Sequence, residues 1–102
     1  MVISSRNHEA GDRIKELKLT ITGRVQGVFY RVTISKLAKQ LGLVGYTRNV
    51  PDGAVEVVAQ GPKQHLAQLL KQCYDGPKLA QVDQINVDWR EPTESFDTFV
   101  IK

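Results

Sequence analysis

Two short segments of this 102-residue chain hold residue types suited to handling a phosphate. The first is Gly23-Arg24-Val25-Gln26-Gly27-Val28-Phe29-Tyr30-Arg31, which joins an alternating stretch to a helically periodic one. A loop in that place aims backbone N–H groups and the positive end of a helix dipole at one point. Glycine permits positive φ and close approach of a ligand to the main chain. Arg31 would add a planar fork of donors matched to phosphate oxygens. No Lys-Ser or Lys-Thr follows, so this is not a nucleotide-binding loop of the ATP type. By residue type alone a plain turn with a surface arginine is the commoner reading of such a segment.

The second segment is Gly45-Tyr46-Thr47-Arg48-Asn49-Val50-Pro51-Asp52-Gly53. Asn49 stands just before Pro-Asp-Gly turn chemistry, where asparagine commonly serves as a turn former. Its carboxamide also both accepts and donates, so it suits the holding of a water. The residues alone leave both roles open. Tyr46 is the aromatic nearest this segment and a candidate wall for an acyl pocket.

The elements that must position these segments follow from hydrophobic period. Leu17, Leu19 and Ile21 alternate with polar residues up to Gly23, which predicts a strand. Ile34, Leu37, Ala38 and Leu41 fall on one helical face, and Gly42 supplies the stop. Residues 43–50 and 54–60 read as a hairpin around Pro51-Asp52-Gly53. Gly61-Pro62 opens a second helix, whose apolar stripe is Leu66, Leu69, Leu70 and Cys73, with Gly76-Pro77 closing it. Ile85, Val87 and Trp89 mark a fourth strand; Phe99 and Ile101 mark a short fifth. The expected class is α+β: a ferredoxin-like βαββαβ sandwich, an antiparallel sheet with two helices on one face and a short extra strand. Residues 1–14 read as a flexible extension and 15–102 as the domain.

Composition narrows the chemistry. The length suits one core, and 41% hydrophobic with 25% charged residues is an ordinary globular balance. One cysteine, Cys73, excludes an intramolecular disulfide framework or a cysteine zinc cluster, and points to the cytoplasm. His8 and His65 are the only histidines, too few for a multi-histidine metal site. His65 falls at a helix edge, and Cys73 and Trp89 read as packing residues. No stretch is long and apolar enough to span a bilayer. The net charge of +3 hides an asymmetry. Residues 1–50 carry nine Lys and Arg against three Asp and Glu, while residues 51–102 carry five against eight. A basic half favours an anionic partner, either a small phosphate compound or a nucleic acid. Nucleic-acid binding would need exposed aromatics on an open sheet face, and Ala54–Ala59 supplies none.

Taken together, the two segments resemble the acylphosphatase family. The family's first signature is G-x-V-Q-G-V-x-[Phe/Met]-R, matched by Gly23, Val25, Gln26, Gly27, Val28 and Arg31. The second is G-[aromatic]-x-[Lys/Arg]-N-x-x-x-G-x-V, matched by Gly45, Tyr46, Arg48, Asn49, Gly53 and Val55. The resemblance covers roughly residues 16–102; Phe29, Tyr30 and Thr47 depart from the usual residue at their positions, and Phe29 and Tyr30 leave open the alternative of a phosphate-sensing module without turnover. It implies that main-chain N–H groups of Val25, Gln26, Gly27, Val28, Phe29, Tyr30 and Arg31, with the Arg31 guanidinium, cradle the phosphoryl group of an acyl phosphate. It implies too that Asn49 positions the attacking water. No cofactor, metal, nucleic acid or membrane is expected. The protein is expected to be a cytoplasmic monomer that releases inorganic phosphate as product and competitive inhibitor.

A carboxylate, whose conjugate acid has a pKa of about 4, leaves without a general acid, whereas an alkoxide does not. Benzoyl phosphate should therefore be hydrolysed in the presence of EDTA, and an alkyl phosphomonoester at least about a thousandfold more slowly. Parallel phosphate-release assays check this; comparable rates on both substrates would contradict it.

Overall fold

The computed structural model describes residues 13–102; the expected extension over residues 1–14 lies almost wholly outside them. The elements run β1 (Ile14–Arg24), α1 (Tyr30–Gln40), β2 (Val44–Asn49), β3 (Val55–Pro62), α2 (Lys63–Asp75), β4 (Gln81–Arg90) and β5 (Phe99–Ile101). They form one five-stranded sheet in the order β4-β1-β3-β2-β5. Strand alternation puts Leu17, Leu19, Ile21, Val55, Val57 and Ala59 on one face. There they meet Ile34 and Ala38 of α1 and Leu66, Leu69 and Cys73 of α2, all fully buried. Both helices thus cover one face, as their single apolar stripes require.

The expected sandwich is present, and the structure adds the direction of its short fifth strand. β1, β3, β4 and β2 pair antiparallel, but β5 runs parallel to β2. The reason is the route of the chain. β4 and β5 occupy opposite edges, so the connection 91–98 must cross the sheet and enter beside β2 in the same direction. Two smaller differences concern the ends of elements. Ile14 already belongs to β1, and Pro62 closes β3 with extended φ/ψ, so α2 begins one residue later, at Lys63. Phe99 is buried as expected, whereas Ile101 is 44% exposed because β5 is an edge strand.

Connection 91–98 crosses the face opposite the helices, and buried polar residues fix it there. Glu16 is fully buried and accepts hydrogen bonds from Gln60 Nε2 at 2.8 Å, from Arg90, and from the Thr93 backbone N–H at 3.2 Å. Gln60 Nε2 also donates to the Glu94 carbonyl at 2.6 Å, and Phe96 packs edge-on against Tyr46. This face is therefore partly covered and rich in ion pairs, unlike the open aromatic platform that single-strand binding would need. Burial pushes the Glu16 carboxyl up, but hydrogen bonds from Gln60, Thr93 and Arg90 outweigh it and hold the group below its ordinary value.

A depressed carboxyl contributes stability that is complete above its ordinary value and lost as pH falls through the folded-state value. Glu16→Gln should cost about 2 kcal/mol near neutral pH, less than the full loss of a deeply buried pair because Arg90 is a third exposed. It should also flatten the fall in stability below pH 4.5, the ordinary value of the group. Urea unfolding across that range checks both; an unchanged acid limb would contradict the assignment.

Candidate active site

The segment between β1 and α1 is anchored at both ends by buried side chains. Val25 and Tyr30 are each 1% exposed, and Val28 packs partly against the core. The Tyr30 hydroxyl donates to the Cys73 carbonyl at 2.6 Å, joining the start of α1 to the end of α2. Between these anchors the main chain bends through positive φ twice, at Gly27 (76°) and Phe29 (66°). For Gly27 the conformation costs nothing. Phe29 is the one non-glycine residue with positive φ among those described, which for an L residue costs about 1–2 kcal/mol. Its ring is 73% exposed, so core burial does not repay the strain.

The bend leaves the backbone N–H groups of Gln26, Gly27 and Phe29 donating to no other group among the described residues, while Val28 closes a turn that begins at Val25. They precede the first turn of α1, where the helix dipole is positive. An open cleft of about 230 Å3 lies beside them, lined by Val25, Gly27, Phe29, Tyr30, Arg31 and Val32. The Arg31 guanidinium is oriented by one hydrogen bond, from Nη1 to the Lys102 carbonyl at 2.9 Å. Lys102 is held in turn through its N–H, which donates to the Thr47 carbonyl at 2.8 Å.

Asn49 ends β2. Its register partner is Val55, and the Thr47 partner is Val57, so both side chains point to the helix-covered face. Asn49 Oδ1 is buried and accepts no hydrogen bond among the described residues. In the Pro51-Asp52-Gly53 turn Asp52 Oδ1 accepts from the Ala54 N–H at 3.0 Å, so a neighbour performs the turn-forming work that Asn49 would otherwise explain. A second bridge ties the two segments together. Gln26 Nε2 donates to the carbonyls of Val50 and Ala54, both at 2.8 Å. At Gly45 the close approach of β3 forbids a side chain, since a Cβ would strike the Val58 carbonyl.

Gln26 is thus tied to the turn that follows Asn49, and Arg31, through Lys102, to the strand that carries Asn49; neither Asn49 nor Tyr46 lines the cleft beside the loop. Tyr46 alternates to the opposite face, where its hydroxyl donates to Glu56 and Lys102 Nζ sits 4.0 Å from its ring centre. The expectation that Tyr46 lines an acyl pocket is therefore corrected: strand alternation separates it from Asn49. Arg48 goes the same way and pairs with Glu56. Burial pushes Tyr30 far above the ordinary tyrosine range and Cys73 up to about 12, so neither supplies a base or nucleophile near neutral pH. No group of three or more His, Cys, Asp or Glu is placed to hold a metal ion among the described residues. Sequence reasoning missed the Gln26 side chain, which it treated only as backbone, and the role of Lys102. A polar residue inside an otherwise apolar loop was a signal for Gln26; none marked Lys102.

The model of the Acylphosphatase family matches residues 17–101. The chain belongs to the acylphosphatase family. An acylphosphatase from Methanococcoides burtonii is 42% identical over 91 residues, 89% of this chain and 95% of that protein. One from Thermus thermophilus is 52% identical over 71 residues, 70% of this chain and 81% of that protein. The crystal structure of the Bacillus subtilis acylphosphatase superposes with a TM-score of 0.83 at 30% identity, covering 86% of this chain and 98% of that one. Both glycine-containing segments lie inside the region matched by the acylphosphatase model.

Replacing Gln26 by Leu removes both donors while keeping most of the bulk; the Val50 and Ala54 carbonyls keep only their turn partners, the N–H groups of Gly53 and Val50. The expected cost is about 1–2 kcal/mol in chemical unfolding, with phosphate affinity weakened as the loop loosens. An unchanged stability would show that the bridge carries no weight.

Proposed function

We propose that acyl phosphate hydrolysis, the reaction of this family, runs here through the Val25–Arg31 cradle and Asn49. The observation that carries this is the buried, unpartnered Asn49 Oδ1, on a strand joined to the cradle by Gln26 and to Arg31 through Lys102. In this reading the phosphoryl oxygens rest on the backbone N–H groups of Val25, Gln26, Gly27, Val28, Phe29, Tyr30 and Arg31 and on the Arg31 guanidinium. Asn49 holds a water in line with the scissile bond. A bond forms from the water oxygen to phosphorus as the phosphorus–acyl oxygen bond breaks. The carboxylate departs with the electron pair, and one proton is released with the inorganic phosphate.

Phosphoryl transfer asks chiefly for positioning and for charge stabilisation on the equatorial oxygens. Amides and a guanidinium fixed before substrate arrives supply that without reorganisation. Asn49 is neutral and cannot remove a proton, so its contribution is orientation. A carboxylate leaving group makes that sufficient. The same reading makes the protein a cytoplasmic monomer, with inorganic phosphate as competitive inhibitor and no nucleic-acid or membrane partner. The single described cysteine, buried and unpaired, suits a reducing compartment.

With benzoyl phosphate, Arg31→Ala should raise KM, lower kcat and reduce kcat/KM by about 10²–10³. Asn49→Ala should lower kcat by a similar factor with KM changed less than about twofold. Steady-state kinetics with phosphate inhibition separates these effects. Wild-type kinetics in either variant would remove that residue from the reaction.

A further inference from the structure

Thr47 is an unexpected residue in its place. It is fully buried, and its Oγ1 has no hydrogen-bond partner among the described residues. Only one other described side-chain atom shares that condition, Asn49 Oδ1, two residues along the same strand. A buried hydroxyl without a partner costs about 1–3 kcal/mol. Valine has nearly the same shape and would avoid that cost, so packing alone gives no reason for threonine here.

Three features place the hydroxyl beside the proposed chemistry. The pairings Thr47 to Val57 and Asn49 to Val55 set both side chains on the same face. Neighbours two apart on a strand have Cα atoms about 7 Å apart, and a water that donates an O–H to each of two oxygens spans about 5 Å, so the two side chains lean toward each other for one water to join them. The Thr47 carbonyl also holds the Lys102 N–H, and the Lys102 carbonyl holds Arg31. Thr47 therefore belongs to the stretch of β2 that fixes the guanidinium.

The geometry points to Thr47 as a positioning residue whose hydroxyl is the second acceptor for the water held by Asn49. A water bound through one O–H still rotates about that bond. Held through both, it turns its lone pairs outward, toward the phosphorus, and the orientation is set before reaction. A threonine oxygen has the lone pairs for this, and its β-branched side chain is confined to few rotamers. The inference rests on the Asn49 reading above and extends it to a residue outside the matched signature positions.

The test compares Thr47→Val, Thr47→Ser, Asn49→Ala and the double variant Thr47→Val/Asn49→Ala. The measurements are kcat and KM with benzoyl phosphate, the inhibition constant of inorganic phosphate, and Tm. Thr47→Val should lose about tenfold in kcat, the worth of one hydrogen bond, with KM and phosphate inhibition moved less than about twofold. Its Tm should hold or rise, because an unpartnered hydroxyl has gone. Thr47→Ser should recover most of the loss. In the Asn49→Ala background Thr47→Val should change kcat little, since the two act on one water. Wild-type kcat in Thr47→Val beside a damaged Asn49→Ala would overturn the role of Thr47 alone. So would a tenfold loss that persists undiminished in the double variant, or a Thr47→Ser as impaired as the valine. Wild-type kcat in Asn49→Ala would overturn the water reading and this inference with it.

Discussion

The arrangement depends on one carboxamide. Gln26 Nε2 has two hydrogens, and it directs one to the Val50 carbonyl and the other to the Ala54 carbonyl. Those carbonyls flank the β2–β3 turn, while Gln26 sits in the loop that leads into α1. A planar amide with both donors engaged cannot rotate without breaking a bond, so loop and turn are held as one body. The second tie, from Arg31 through Lys102 to Thr47, exists because β5 lies parallel beside β2. That pairing needs the crossing connection 91–98, which the Glu16 network pins to the sheet. The loop between β1 and α1 is thus linked mechanically to a polar cluster on the far side of the sheet.

The site region is costly to fold. Phe29 holds positive φ with its ring in solvent, and the hydroxyl of Thr47 and the carboxamide oxygen of Asn49 are buried without partners. Each feature alone costs on the order of a kilocalorie or more. Their concentration in two segments contrasts with the core, where Leu17, Leu19, Ile21, Ile34 and Leu66 are fully buried with regular alternation and helical spacing. Groups that the protein itself leaves poorly satisfied are the ones a ligand can satisfy, which is the reason the proposed site falls here.

Charge behaves differently in three dimensions than along the chain. The basic first half and acidic second half suggested a broad anion-attracting surface. Instead β1 pairs with β3 and β4, so the two halves interleave. Lys15 meets Glu91, Lys18 and Arg48 meet Glu56, and Arg90 meets Glu16. Much of the positive charge is thereby neutralised, that of Lys18, Arg48 and Arg90 on the face away from the helices and that of Lys15 on the helix side. What remains local to the cleft is Arg31 with the free N–H groups of its loop.

Period and punctuation were enough to place every strand and helix, because one buried face forces alternation in strands and a single stripe in helices. The spacing of Gly23 to Arg31 and Gly45 to Val55 was enough to indicate the family, because those turns admit few residue types. Tertiary structure alone decided the rest. It set β5 parallel, since strand direction depends on the route of a connection whose own residues carry no period. It moved Tyr46 and Arg48 away from Asn49, a consequence of alternation that became decisive only once the covered face was known. It turned Gln26 and Lys102 into ties, because their partners lie far off in sequence and no local spacing encodes a contact across a sheet.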